Sequence, residues 1–285
     1  MPANANAILA ASAIVAADAV IGPFCVVGEN VSIGAGARLG VGCVLADGVK
    51  IAAGCTLGNY VTLGDGASVG AGVQINDHTT LCPGTQLGDN SYIGAGSVIG
   101  RLPRAAATST VKAQPNPIPL RLGANCTIGC CAVLYAGTTY GKGVFIGDNA
   151  MVRERCNIGD SVVIGSGVAV ENDTAIGAYT KIQTGAYITA YMQIAEKVFI
   201  APMVTTTNDN FMGRTEKRFQ HIKGPTIERG ARVGGGSIIL PGVKIAPESF
   251  IAAGALVTKD TASGQVSIGF PAQTGREVPQ EELLP

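Results

Sequence analysis

The chain has 285 residues, long enough to bury a sizeable core, and it carries 20 Lys+Arg against 20 Asp+Glu, so no net field favours DNA, RNA or an anionic membrane. Gly occurs 40 times, aromatics make up 5% and charged residues 14%, which argues against disorder, and the Gly lacks the strict period of collagen. Gly, Asn and Asp interrupt the apolar segments too often to span a bilayer, and the Ala-rich start lacks the basic stretch of a signal peptide, so a soluble, cytoplasmic protein is expected.

Aliphatic residues recur at every sixth position from Leu9 through Val15, Ile21, Val27 and Ile33 to Ile99, 16 hexads in register. A polar, Pro-rich stretch, residues 105–121, interrupts the repeat. A second run covers 14 hexads from Leu122 to Ile200, a second interruption spans 206–226, and a third run covers 6 hexads from Ile227 to Val257. A short C-terminal tail, 265–285, follows. Of these 36 anchors only Tyr140 is not Leu, Ile or Val, and the next residue is Gly or Ala in 26 hexads.

A helix repeats every 3.6 residues and an isolated strand every two, so a period of six fits neither. It fits a short strand and a tight corner, used three times per turn of a triangular coil. Stacked coils of 18 residues, about 4.8 Å apart by parallel pairing, predict an all-β solenoid of about twelve coils over residues 1–264, with both interruptions as inserted loops. The small residue after each anchor is expected where the backbone turns and the walls approach closely. Cys25, Cys43, Cys55, Cys126 and Cys156 all take the fifth place of a hexad, an inward slot, and read as core residues. Cys82, Cys130 and Cys131 fall at corners; no spacing suggests a metal, and eight unpaired thiols suit a reducing compartment.

In a repeat protein the departures from the pattern carry the information. Long loops on a rigid scaffold are commonly functional. Among the hexads without Gly or Ala after the anchor, Tyr135, Arg153, Glu171 and Thr189 are spaced by 18, so they share one corner of successive coils. Around them stand Arg153-Glu154-Arg155, then Glu171-Asn172-Asp173, then Tyr191. Glu154 and Asn172 are stacked neighbours, roughly 5 Å apart at the backbone. The next hexad of this column would begin where the second loop starts. Isolated surface charges contribute little, but a polar run on one column of a chain so poor in charge points to function.

With these features in view, the sequence resembles the hexapeptide-repeat N-acyltransferases that modify nucleotide-linked amino sugars, especially dTDP-3-amino-3,6-dideoxyhexoses. The likeness covers most of the chain and includes Thr207-Asn208-Asp209, Val257-Thr258-Lys259-Asp260, and Ser267-Ile268-Gly269-Phe270-Pro271-Ala272, similar to the GxPA segment that closes many such enzymes. The resemblance implies a left-handed parallel β-helix, a hand taken from it alone because the general crossover rule favours the other. It also implies a homotrimer, an active site between neighbouring subunits, and coenzyme A along the prism edge. In the 3-amino-sugar members a Glu, then an Asn-Asp pair one coil later, meets the sugar; Glu154 and Asn172-Asp173 match that spacing.

The implied reaction is attack of a sugar amine on the thioester of an acyl-CoA, the acyl group being acetyl in the simplest case, with no metal. Holding the reactants in attack geometry, and backbone N–H groups facing the oxyanion, would supply much of the acceleration. Asp173 would orient the amine, Asn172 would hydrogen-bond it, and Glu154 would fix a hydroxyl or the amine. A carboxylate beside an ammonium favours the charged form, so either a desolvated acid serves as base or the amine arrives neutral and the thiolate takes the proton. Asn208, Asp209, Arg214, Arg218 and His221 of the second loop are expected at the nucleotide sugar, the basic ones at its diphosphate. Lys244, Lys259 and Pro271 are expected at coenzyme A. A dTDP carrier is favoured over UDP. His78, on another column, reads as a surface or nucleotide contact.

Three alternatives are weighed. A γ-type carbonic anhydrase needs three imidazoles and the chain has two His. A lipid A-type acyltransferase fed by acyl carrier protein would bring a central His and a helical C-terminal domain. A non-catalytic scaffold would have no use for the Glu154, Asn172, Asp173 stack.

Overall fold

The computed structural model describes residues 6–107, 118–280 and 283–284, so most of the first inserted loop lies outside the described residues. Two compact units divide the chain, Met1–Asn149 and Ala150–Pro285. Both are parallel β-solenoids. In the first, nearly every strand is two residues long and each of the three faces holds seven strands. Val26–Val27, for instance, pairs in parallel with Ile8–Leu9 and with Val44–Leu45, each one coil away. The pairing jumps the first loop without losing register, since Leu87 is opposite Leu122.

The second unit repeats this plan with six, five and seven strands on its faces. One face stacks Met151–Val152, Ala169–Val170, Tyr187–Ile188, Thr205–Thr206, Ile238–Ile239 and Leu256–Val257. Summed over the chain the faces carry 13, 12 and 14 strands, so the expected twelve coils are slightly exceeded, for two reasons. Thr206 is fully buried and fills an anchor slot, so the second loop begins after it. The tail also keeps pairing: Gln265–Gly269 lies parallel to Phe250–Ile251, and Ala272–Glu277 folds back antiparallel on it. Arg121 and Thr226, at the far ends of the two loops, likewise belong to strands. The all-β solenoid is thus as the period required, and it is consistent with the left-handed parallel β-helix that the resemblance implied.

The hexad can now be read place by place. The anchor and the fifth residue point inward and form the core, as Ile33 and Ala37 do. The fourth residue carries the turn: from Phe24 and Asn30 to Lys197 and Glu248 it has a positive φ near 60° even when it is not Gly. The small second residue has another cause, close approach alone. A Cβ on Gly34 would lie 2.7 Å from backbone atoms of Ala52 and Ala53 in the next coil, closer than real contacts permit. Buried thiols and hydroxyls at the fifth place donate to a carbonyl of the next coil, as Cys43 does to Gly58 at 3.1 Å and Thr79 to Gly94 at 3.0 Å. These polar atoms are thereby satisfied inside the core, and the five inward cysteines are buried as expected.

Candidate active-site corner

The corner that follows the Met151–Val152 face collects the polar column. Because Val152, Val170, Ile188, Thr206, Ile239 and Val257 are anchors of one face, the third places after them stack in turn: Glu154, Asn172, Ala190, Asn208, Pro241 and Lys259. At the backbone the Asp173 N–H donates to the Glu154 carbonyl at 3.2 Å and the Tyr191 N–H to that of Asn172 at 3.1 Å. With about 4.8 Å per coil, Asn208 stands about 10 Å beyond Asn172. The polar strip and the root of the second loop are therefore on one ridge.

The side chains form a network of two arginine forks. Arg153 donates from Nε to Glu154 Oε2 at 2.9 Å and from Nη2 to Oε1 at 3.0 Å, while its Nη1 reaches Glu171 Oε2 at 3.3 Å. Arg155 donates from Nε to Asp173 Oδ1 at 2.7 Å and from Nη2 to Oδ2 at 2.6 Å, and its Nη1 stands 3.9 Å from Glu154 Oε1. Asn172 Nδ2 donates to Asp173 Oδ2 at 2.5 Å. Glu154 and Asn172 are each only 2% exposed, so both are covered by their own chain, whereas Asp173 keeps 28% of its side chain open. Bidentate guanidinium–carboxylate pairs of this kind are short and directional.

Titration follows the partners. Burial alone would raise the Asp173 carboxyl, but the Arg155 and Asn172 hydrogen bonds outweigh it and hold it below its ordinary value. The bond to Asp173 in turn raises the Arg155 guanidinium against its desolvation. Glu171 goes the other way: burial pushes its carboxyl up, with Arg153 opposing and Glu154 reinforcing. Burial and Glu171 also raise the Tyr187 phenol on the neighbouring strand.

The second loop organises itself around Asp209. Its Oδ1 accepts from the Phe211 N–H at 2.8 Å and its Oδ2 from the Gly213 N–H at 3.0 Å, with Arg218 Nε 3.1 Å away. The backbone bonds and Arg218 keep this carboxylate below its ordinary value although desolvation opposes them. Arg218 also opens a single helical turn, Arg218–His221, and its guanidinium lies 5.4 Å from the Phe219 ring. His221 leans on Phe211, ring centres 5.7 Å apart. The Lys223 N–H donates to the Asn208 carbonyl at 3.0 Å. Of the five loop residues expected at the sugar, Asp209 and Arg218 are thus engaged with each other and Arg214 is exposed.

Of the residues expected at coenzyme A, Lys259 falls on the corner column and is exposed. Lys244 lies on another face, its Nζ 3.1 Å from Glu228 Oε1, and Pro271 is exposed in the turn of the C-terminal hairpin. Lys223 lies with its Cδ over Gly242 of the same corner. Sequence reasoning sets Lys223 in the basic cluster of the second loop, expected at a diphosphate, and does not read Arg153 and Arg155 as partners of the acids. His78 stacks on Tyr60 in the first unit, centroids 5.3 Å apart. Among the described residues no group of three potential ligands could hold a metal, and no helix is long and apolar enough to cross a membrane.

Comparison with known proteins places the repeat. The family described as bacterial transferase hexapeptide (six repeats) matches residues 30–65 and 66–101, and the hexapeptide repeat of succinyl-transferase matches 226–259. A galactoside O-acetyltransferase of Lactococcus lactis is 42% identical over 59 residues, 21% of this chain and 28% of that protein. A solved GDP-perosamine N-acetyl transferase variant from Caulobacter crescentus, in complex with CoA and GDP-perosamine, is 24% identical over 47% of this chain and 57% of that one, with a TM-score of 0.41. A UDP-N-acetylglucosamine O-acyltransferase from Moraxella catarrhalis is 17% identical over 99% of this chain and 76% of that one, with a TM-score of 0.33. The chain thus spans less than two thirds of the first two. Residues 30–101 and 226–259 thus match transferase hexapeptide repeats, and they lie in a parallel β-solenoid.

Proposed function

We propose that this chain is an N-acyltransferase that moves an acyl group, acetyl in the first instance, from acyl-CoA to the 3-amino group of a dTDP-linked amino-deoxy sugar, and that it works as a cytoplasmic homotrimer. One observation carries the reading: in a solenoid whose residues 30–101 and 226–259 match transferase hexapeptides, the corner that lacks its Gly/Ala residue in consecutive coils holds an ordered network of acids, amide and guanidinium groups beside a long loop. A scaffold has no use for such a network.

Coenzyme A supplies the activated acyl group as its thioester, with Lys223 and Lys259 as the residues that would hold its phosphates. The residues of the corner do the rest. Asp173, kept ionised by Arg155, accepts a hydrogen bond from the sugar ammonium and fixes its direction. Asn172 holds Asp173 in that pose through Nδ2. Glu154, buried within the fork of Arg153, positions both arginines. Arg214 and His221 on the loop meet the diphosphate. The amine nitrogen forms the new C–N bond, the C–S bond breaks, and coenzyme A leaves as its thiol. Fixing amine and thioester in one geometry is the main source of rate.

The test is a mass-spectrometric assay with acetyl-CoA and dTDP-3-amino-3,6-dideoxyhexose, run beside the UDP analogue, calorimetry with coenzyme A, and light scattering for the trimer. An N-acetylated product with a higher kcat/KM for the dTDP sugar is expected. Transfer only from acyl carrier protein would replace the reading by the lipid A-type one, and absence of any coenzyme A binding would leave a scaffold.

A further inference from the structure

The acidic oxygens of the corner are not equivalent. Both oxygens of Glu154 face guanidinium groups, Oε2 and Oε1 alike, and the residue is buried. Both oxygens of Asp173 already accept from Arg155, and one of them from Asn172 as well, so they can orient an ammonium but are poorly placed to take up its proton. Farther along the ridge, both oxygens of Asp209 are spent on the loop backbone and Arg218. Glu171 differs. Only its Oε2 is held, by Arg153 at 3.3 Å, and 19% of its side chain is exposed. Among the described residues its Oε1 alone of these eight oxygens has no partner.

Its backbone is as fixed as any in the coil. The Glu171 N–H donates to the Ile188 carbonyl at 2.8 Å, and its own carbonyl accepts from the Cys156 thiol at 3.3 Å. It also occupies a place where most coils have Gly or Ala, so a carboxylate there lacks a packing role. The charged and titratable groups that face it are Arg153 and Glu154 from the preceding coil and Tyr187 from the following strand.

We propose that Glu171 is the proton acceptor of the acyl transfer, its open Oε1 receiving a proton from the attacking sugar amine. This rests on the N-acyltransferase reading above. The ammonium gives one proton to Glu171 and becomes a nucleophile; its lone pair forms the C–N bond to the thioester carbonyl carbon. As the tetrahedral adduct collapses, the C–S bond breaks and the thiolate takes the second nitrogen proton, leaving an amide and a thiol. Glu171 then returns its proton to water. A base needs a pKa nearer the working pH than an ordinary carboxylate, and burial moves Glu171 that way, whereas the forks move Asp173 the opposite way.

The pH profile of kcat/KM for Glu171→Gln, measured with acetyl-CoA and the amino sugar, tests this. The expected result is a kcat lowered about 100-fold, a sugar KM within threefold of wild type, and loss of the acid limb. Glu171→Asp, which keeps a carboxylate, should retain the limb at reduced kcat. Should Glu171→Gln melt early, Glu154→Gln, which removes the charge that reinforces the upward shift of Glu171, should lower the limb's midpoint and serves in its place. A limb unchanged in Glu171→Gln with kcat within threefold, or a midpoint not lowered in Glu154→Gln, overturns the assignment while the N-acyltransferase reading stands. A wild-type chain that acylates no amino sugar removes both.

Discussion

Acids at the third place of the hexad occur in both units, and their partners differ. In the first unit Asp47, Asp77, Asp89 and Asp148 each accept from the backbone N–H one coil earlier, on Glu29, Asn59, Ala71 and Cys130, at 2.8, 2.7, 2.8 and 2.7 Å. In the second unit Glu154 occupies the same place but turns to Arg153 instead. The first kind of acid stitches one coil to the next and needs nothing beyond a backbone donor. The second kind organises side chains of two coils. The lesson is that an acid at a corner carries no functional meaning by its type or its place; the meaning comes from what neutralises it.

Substitutions can break this contrast. The largest effect should come from Glu154→Ala, which strands two guanidinium groups. Breaking a buried ion pair typically costs roughly 3–5 kcal/mol, and because both arginines are 25% exposed the lower end, about 3 kcal/mol, is expected in urea denaturation. A loss indistinguishable from that of Asp47→Ala would erase the distinction between the two kinds of acid.

Next comes the pH response of the corner. Asp173 is held below its ordinary value, so the stability it contributes is present above the unfolded pKa and lost as pH falls through the lower folded one. Glu171, which is raised, has the opposite sign: its contribution is complete below the unfolded pKa and fades as pH rises through the folded one. Melting curves from pH 2 to 7 should therefore move apart for Asp173→Asn and Glu171→Gln, the first losing its deficit in acid and the second gaining on wild type toward neutrality. Parallel curves would contradict both directions.

Asp47→Ala removes one hydrogen bond to a backbone N–H and should cost about 1 kcal/mol with kcat and KM unchanged. A change in kinetics there would show the first unit to be more than a stack. Lys244→Ala should matter least, under about 1 kcal/mol, because its pair with Glu228 is half exposed. If coenzyme A affinity nonetheless fell as far as in Lys259→Ala, the ligand would reach a second face.

Most of the coil was legible because aliphatic anchors repeat without a slip and each lands on a buried place, from Ile21 to Val257. Thr206 escaped because an anchor that is not aliphatic looks like the first residue of a loop. The hairpin of the tail escaped because Gln265–Gly269 and Ala272–Glu277 keep no hexad. At the corner, spacing by 18 was enough to bring Glu154, Asn172 and Asp173 together. It was not enough to show which arginine takes which acid, since Arg153 forks Glu154 of its own coil and reaches Glu171 of the next, whereas Arg155 forks Asp173 of the next. That choice is made by side-chain direction, which a period does not encode. The alignment of Asn208 and Lys259 with Glu154 likewise required knowing where the chain re-enters the stack after the loop.

The antiparallel strand Ala272–Glu277 bears on solubility. A solenoid built of identical rungs ends in unpaired amides and carbonyls, a template on which the first rung of another molecule can settle and start a fibre. On this face the outermost described rung runs against all the others, so an incoming copy cannot continue the parallel register of the stack there. Removing those six residues should raise end-to-end association, read by light scattering.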